Sequence, residues 1–282
     1  MHDDHADRTG TGPNAEAGER LERLETLLKP LRKVVLAFSG GVDSTFLLAV
    51  LCRDPDRKVV AVTALSPTHP QQEQEEARAL ARLFSAEHRE ITGDEIHLEG
   101  FRSNPPDRCY HCKKHLFSKI EEIRRKEGCE AVLDGSNVDD LGDFRPGLRA
   151  LEELGVRSPL QEAGLGKAEI RTLSHEMGLR TWDKPSLACL ASRIPYGTEI
   201  TEEALVRIDR CEAFLLKRIH GSVRVRVHGN LARIEVAPGA FQALLSQRDV
   251  LVDFFKEQGF AYVTLDLQGY RTGSMNEVLK QD

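Results

Sequence analysis

The residues with the clearest chemistry run Ser39-Gly40-Gly41-Val42-Asp43-Ser44-Thr45, directly after the apolar stretch VVLAF at 34–38. Two glycines let a backbone turn tightly and aim several N–H groups at one concave face. A following helix adds its positive end, and Ser39 and Ser44 add hydroxyl donors, so the turn suits a phosphate or pyrophosphate. The lysine of a GxxxxGK[ST] loop is missing, and the pattern is not GxGxxG. The same residues would also serve a plain strand-to-helix turn in which Asp43 or Ser44 caps the helix. Cys109 and Cys112 form a CxxC, a spacing that lets two thiolates converge on one metal centre. Arg224 and Arg226 stand two apart in VRVRV, hence on one face of a strand. Paired guanidiniums there grip a phosphate or line a solvated face.

These residues need elements to hold them. Residues 1–17 are polar, contain Gly and Pro, and read as a mobile tail. Helical spacing of leucines follows over 19–31, then a buried strand at 34–38, a helix over 44–52, a second buried strand at 59–65 and a helix over 71–84. Strand and helix keep alternating: a helix at 115–126, a strand at 131–136, a helix at 167–177. This is the pattern of a doubly wound parallel α/β sheet. The loop at 184–197 ends it. After a helix over 204–219, the segments 223–229 and 232–237 alternate as half-buried antiparallel strands. A helix over 241–258 and a strand at 261–267 complete a smaller α+β unit. The expected domains are therefore 18–197 and 198–282.

The chain has 282 residues, with 39 Lys and Arg against 45 Asp and Glu, a net charge of −6. Nucleic-acid binders usually carry a basic excess, so a small-molecule partner is expected and nucleic acid is not. No apolar run reaches the roughly 18 residues of a membrane helix, and the first ten residues do not read as a signal peptide. Six cysteines without a leader point to a reducing, cytoplasmic setting, where clustered cysteines serve metal or redox chemistry. Cys52, Cys129 and Cys211 read as small core residues.

Ser-Gly-Gly-Val-Asp-Ser after an apolar strand resembles the PP-loop of the ATP pyrophosphatases. Those enzymes cleave ATP between its α- and β-phosphates, adenylate a carboxylate or carbonyl, and release pyrophosphate. LDGSNVDD at 133–140 with Phe144-Arg145-Pro146-Gly147 resembles the superfamily's second nucleotide loop. There Asp134 and Asn137 would contact nucleotide and Arg145 would pair with phosphate, although DGSN is equally good as a turn. RCYHCKKHLF at 108–117, KPSLACLASRIPYG at 184–197, VRVRVHGNLARIEV at 223–236 and LDLQGYRTGSMNE at 265–277 together are similar to the LarE family. LarE proteins are ATP-dependent sulfur transferases that help build the nickel-pincer nucleotide of lactate racemase.

The resemblance implies a PP-loop ATP pyrophosphatase domain in which Ser39, Gly40, Gly41, Asp43 and Ser44 hold ATP and Mg2+. It implies a pyridinium-3,5-biscarboxylic acid mononucleotide as substrate, near Arg193, Glu212, Arg224 and Arg226, and a homo-oligomer. A carboxylate is a poor electrophile until its oxygen belongs to an AMP leaving group, so adenylation precedes sulfur transfer. Some family members give up the sulfur of one cysteine, here Cys189. Others hold a [4Fe–4S] cluster on three cysteines, here Cys109, Cys112 and Cys189, and this is the expected arrangement. A structural zinc with His111 or His115 as fourth ligand is a further alternative. The rival functions are a PP-loop tRNA thiolation enzyme and a nucleotide-binding regulator without turnover.

Overall fold

The computed structural model describes residues 13–142, 146–185, 188–271 and 273–275. In chain order the elements are α1 (Pro13–Leu28), β1 (Lys33–Ala37), α2 (Val42–Leu51), β2 (Lys58–Leu65), α3 (Gln71–Leu83) and β3 (Glu87–Thr92). Then come α4 (Glu99–Arg102), α5 (Arg108–Glu127), β4 (Ala131–Leu133), α6 (Pro146–Glu153), α7 (Pro159–Glu162) and α8 (Lys167–Glu176). The last elements are α9 (Glu202–Leu216), β5 (Val223–His228), β6 (Leu231–Val236), α10 (Phe241–Leu245), α11 (Arg248–Glu257) and β7 (Tyr262–Leu265).

The first four strands are parallel, in the order β3-β2-β1-β4, with Val35 opposite both Val60 and Val132. Side chains alternate across β1. Val34 and Leu36 pack into one core with α1, α2 and α8, while Val35 packs into another with Phe117 and Ile120 of α5. Both faces are covered, which is why β1 and β2 are apolar almost throughout. Each such valine or leucine contributes about 1.5–3 kcal/mol by leaving water. The fold is the expected doubly wound α/β arrangement. β1 is flanked by β2, the strand that follows it, and by β4, reached only after β3. Its carboxyl end therefore lies at the switch point where such sheets bind ligands.

Besides the short helices α4, α6 and α7, which the sequence reading lacks, four local features differ from it. First, α1 begins at Pro13, inside the stretch taken as a tail, because Ala17 is buried in the core that α1 shares with α8 and proline suits a first helical turn. Second, α5 starts at Arg108, seven residues earlier than expected, so the CxxC sits in its first turns and its two cysteines share a face. Third, β3 has no counterpart in the reading: its sequence, EHREIT, is that of a charged edge strand with no apolar run. Fourth, the helix expected over 241–258 is two helices, α10 and α11, broken at 246–247.

The second sheet is mixed, with β5 antiparallel and β7 parallel to β6. Thr201 caps α9 by accepting the Ala204 N–H at 3.2 Å. The core under this sheet also takes Ile96 and Phe101 and, from the loop before α9, Leu190, Ala191 and Ile194. β5 is buried on both faces rather than half-buried, since its valines share a core with α9 while Ser192 of that loop, Tyr270 and Ser274 lie against its arginines.

Candidate functional site

A cavity of about 340 Å3 opens at the carboxyl end of β1 and is lined by the glycine turn, Val62–Ala64, the start of α3, part of α5, Asp134–Ser136, Asp140 and Lys167. Gly40 has φ +70°, and a Cβ there would stand 3.0 Å from the Ala77 Cα of α3. A Cβ on Gly135 would stand 3.0 Å from the Ser44 amide nitrogen. Glycine is required at both places because two backbones meet. Ser39 and Ser44 join Oγ to Oγ at 3.1 Å. Neither Asp43 nor Ser44 caps α2; its N-cap is Gly41, without a side-chain bond, so the helix's positive end stays open to the cavity.

Lys167 Nζ donates to Asp43 Oδ2 at 2.5 Å, while Asp43 Oδ1 is buried with no partner among the described residues. Burial pushes the Asp43 carboxyl up in spite of Lys167, and Asp140 adds to the rise. Two acids facing one cavity, one with an orphaned oxygen, fit a hard cation such as Mg2+. Asp134 lines the cavity, but its carboxylate accepts from Ser136 Oγ at 2.5 Å and Ser158 Oγ at 2.6 Å. Asn137 is buried, and its Oδ1 accepts the Asp139 N–H at 2.9 Å, which shapes the loop. Arg145 lies outside the described residues.

The three cysteines meet at a second place. Cys109 is exposed; Cys112 and Cys189 are half-buried against the second core. Burial pushes the Cys112 thiol well up, and Glu95, Cys189 and Cys109 push it further. Burial also raises Cys189, with Cys109 adding to it. The Leu190 N–H donates to Thr68 O at 2.8 Å, tying the Cys189 loop to the chain just after β2. Beneath it, the buried Glu95 accepts from Ser66 Oγ and from Thr68 Oγ1, the latter at 2.7 Å. His115, a candidate zinc ligand, turns away to Asp94 at 2.6 Å, and His111 lies 3.6 Å from Asp107. Among the described residues no three His, Cys, Asp or Glu groups are placed to hold one metal ion. A cluster makes a different demand, since each thiolate binds its own iron and the three need only surround the centre. The three-thiol donor set fits that.

The arginines divide. Arg193 is 0% exposed. Its Nε and Nη2 donate to Glu212 at 2.8 and 2.7 Å, and its Nη1 reaches Ala188 O, Cys189 O and Ser192 Oγ at 2.7, 3.1 and 2.9 Å. Glu212 also accepts the Val225 N–H at 2.8 Å. Arg224 and Arg226 share a face as expected, but both are buried, so the solvated-face reading fails. Arg226 forks onto Glu235 with two 3.0 Å bonds and donates to Ser192 O at 2.5 Å. Arg224 donates to Val223 O at 2.7 Å, with its Cζ 5.2 Å from the Tyr270 ring centroid.

Sequence reasoning missed three lysines. Lys113 and Lys167 line the cavity; Lys184 donates to Gly40 O at 3.2 Å and pairs with Glu73 and Glu76 at 2.7 Å each. Lys167 carried a faint signal, a lysine opening a helix after two glycines.

A family model described as NAD synthase matches residues 24–104, the stretch from α1 through the glycine turn to the end of α4. A pyridinium-3,5-bisthiocarboxylic acid mononucleotide synthase of Lactiplantibacillus plantarum is 39% identical over 260 residues, covering 91% of this chain and 93% of that protein. The chain belongs to the LarE family. Two further relatives of this LarE protein are uncharacterized. One, from Synechocystis, is 42% identical over 92% of this chain and 98% of its own length. The other, from Methanocaldococcus jannaschii, is 31% identical over 86% and 92%. Among the described residues no helix is long and apolar enough to cross a membrane.

Proposed function

We propose that this LarE protein is an ATP-dependent sulfur transferase that converts the carboxylates of pyridinium-3,5-biscarboxylic acid mononucleotide to thiocarboxylates. The observation that carries the reading is a pair of consecutive residues on α5: Lys113 lines the nucleotide cavity, while Cys112 packs, as Cys189 does, against the second core. A carbonyl activated in the cavity is thus one helical residue from the thiols.

The glycine turn and the open end of α2 receive the ATP phosphates, Asp43 and Asp140 would hold Mg2+, and Lys113 and Lys167 add positive charge. A substrate carboxylate oxygen attacks the α-phosphorus, and pyrophosphate leaves with the electron pair of the α–β bridge. Hydrosulfide then adds to the carbonyl carbon, the bond to AMP breaks, AMP takes the electron pair, and the S–H proton passes to solvent. Cys109, Cys112 and Cys189 would hold a [4Fe–4S] cluster, whose iron without a protein ligand supplies a place for hydrosulfide. Arg224 would bind the mononucleotide phosphate, with Arg226 beside it on the same face of β5 and held in place by Glu235, and Arg193 and Glu212 belong to the same substrate side. In this proposal residues 18–197 form the PP-loop domain, and residues 198–282 serve substrate binding and homo-oligomer formation.

The test is anaerobic purification followed by iron analysis and a mononucleotide-dependent pyrophosphate assay with sulfide. About four irons per chain, lost in Cys109→Ala and in Cys112→Ala, are expected. Iron-free protein that still transfers one sulfur, with Cys189 converted to dehydroalanine, would overturn the cluster and make Cys189 the donor.

A further inference from the structure

His69 is the only histidine among the described residues that line the nucleotide cavity, and the chemistry proposed above gives it no task. It stands just after β2, half-buried. Gln74 Nε2 donates to its carbonyl and to that of Ser66, each at 3.0 Å, which fixes the turn that presents it. One residue earlier, Thr68 O accepts the N–H of Leu190, the neighbour of Cys189, at 2.8 Å. His69 therefore joins the cavity wall to the loop that carries the thiol.

The hydrogen bonds behind the ring assign its proton. The buried Glu95 accepts from Ser66 Oγ and, at 2.7 Å, from Thr68 Oγ1. A hydroxyl has one proton to give. That of Thr68 goes to the charged and nearer oxygen, so Thr68 Oγ1 meets His69 Nδ1, 3.3 Å away, as an acceptor. Nδ1 then carries the imidazole proton, and Nε2 keeps a bare lone pair without a hydrogen-bond partner among the described residues. Burial pushes the ring's pKa down against the pull of Glu95, which keeps it neutral near pH 7. Three of the carboxylates that line the cavity are engaged: Asp43 with Lys167, Glu73 with Lys184, and Asp134 with Ser136 and Ser158. The fourth, Asp140, stands with Asp43 at the proposed Mg2+ position. Lys113 and Lys167 are the cations of the same wall.

We propose that His69 Nε2 is the base that takes the proton from sulfur during sulfur transfer. This rests on the sulfur-transferase reading and names the group through which that proton reaches solvent. When hydrosulfide adds to the acyl adenylate, AMP and hydrosulfide are leaving groups of similar quality, so the adduct falls back as readily as it goes forward. His69 Nε2 accepts the S–H proton, and the S–H electron pair stays on sulfur, which then no longer leaves. The carbonyl re-forms, the C–O bond to AMP breaks, and AMP departs with that electron pair. The product is a thiocarboxylate, and the imidazolium returns its proton to the water of the cavity. Thr68 and Glu95 hold the ring in the tautomer that this step requires.

Two measurements test the assignment. 15N NMR of histidine-labelled protein, with His69 assigned by the signal lost in His69→Gln, should show a neutral Nδ1–H ring at pH 7. An Nε2–H tautomer or an imidazolium would overturn the base, whatever the reaction. The second is a single turnover of anaerobically purified protein with ATP, mononucleotide and sodium hydrosulfide. The lag between pyrophosphate release and thiocarboxylate formation should lengthen about 10²–10³-fold in His69→Gln, the range of general base catalysis. Added imidazole should shorten the lag in His69→Ala. An unchanged lag, both steps slowed in proportion, or no rescue by imidazole would each overturn the proposal. Wild-type protein that shows the Nδ1–H ring but releases no mononucleotide-dependent pyrophosphate would defeat the sulfur-transferase reading, and the sulfur step with it, while the free base in the cavity would stand.

Discussion

The carboxyl end of β1 and the arginine face of β5 both gather charge out of water, but they handle it differently. Around β5 the charges are closed on one another: Arg193 forks onto Glu212, and Arg226 onto Glu235. Around β1 the closure is incomplete: Asp43 pairs with Lys167 through Oδ2, but among the described residues its buried Oδ1 has no partner, and the helix end behind Gly41 has no side-chain cap. A buried pair with satisfied hydrogen bonds holds two elements in one arrangement, and removing one partner strands the other. A buried polar atom without a partner has a cost that only a ligand relieves. Arg193 therefore acts first as a strap, since one side chain binds the backbone of the Cys189 loop and, through Glu212, the backbone of β5.

If that contrast is right, the largest effect belongs to the closed region. Arg193→Met should lower stability by about 3–5 kcal/mol, because Glu212 would keep a buried charge with little to offset it. Urea unfolding measures this, and adding Glu212→Leu should restore much of the loss. A cost below about 1 kcal/mol, the range of exposed pairs, would break the comparison. The open region should show the reverse balance. Asp43→Asn should cut pyrophosphate release about 10²–10³-fold, in line with losing one preorganised electrostatic contact. Its urea midpoint should stay close to wild type; a large stability loss with activity retained would move Asp43 into the structural class.

The smallest effect is expected at the surface. Lys119 and His115 hold the Asp94 carboxyl at about 2, below its ordinary 3.8. A depressed carboxylate contributes stability that is present above the ordinary value and is lost as pH falls through the folded one. Asp94 is largely solvated, so Asp94→Asn should cost only about 0.2–1 kcal/mol at pH 7. The difference between variant and wild type should shrink between pH 4 and pH 2. A constant difference across that range would show that the contribution is packing and not charge.

Much of this was legible in the sequence because it depends on local chemistry. VVLAF, the glycine turn and VVAVTAL announce a buried parallel sheet with an anion cradle at its end, since period, apolarity and backbone freedom are all local. β3 was illegible for the opposite reason: as a charged edge strand it owes its place to pairing with β2, not to its own residues. The helical setting of Cys109 and Cys112 was hidden because the first turns of α5, RCYHCKKH, carry no apolar stripe to mark a helical period.

The sequence alone determined which groups are available: a glycine turn without a P-loop lysine, three cysteines in two segments, and arginines two apart on a strand. Only the tertiary structure decided which of them are used up and which remain open. Arg108 and Arg193 are the same residue type and both are buried, yet Arg193 meets a buried carboxylate while Arg108 lies over the Tyr196 ring and, among the described residues, its Nη1 has no partner. The physical reason is that a charge's role depends on what has replaced its water, and those replacements come from segments far away in the chain.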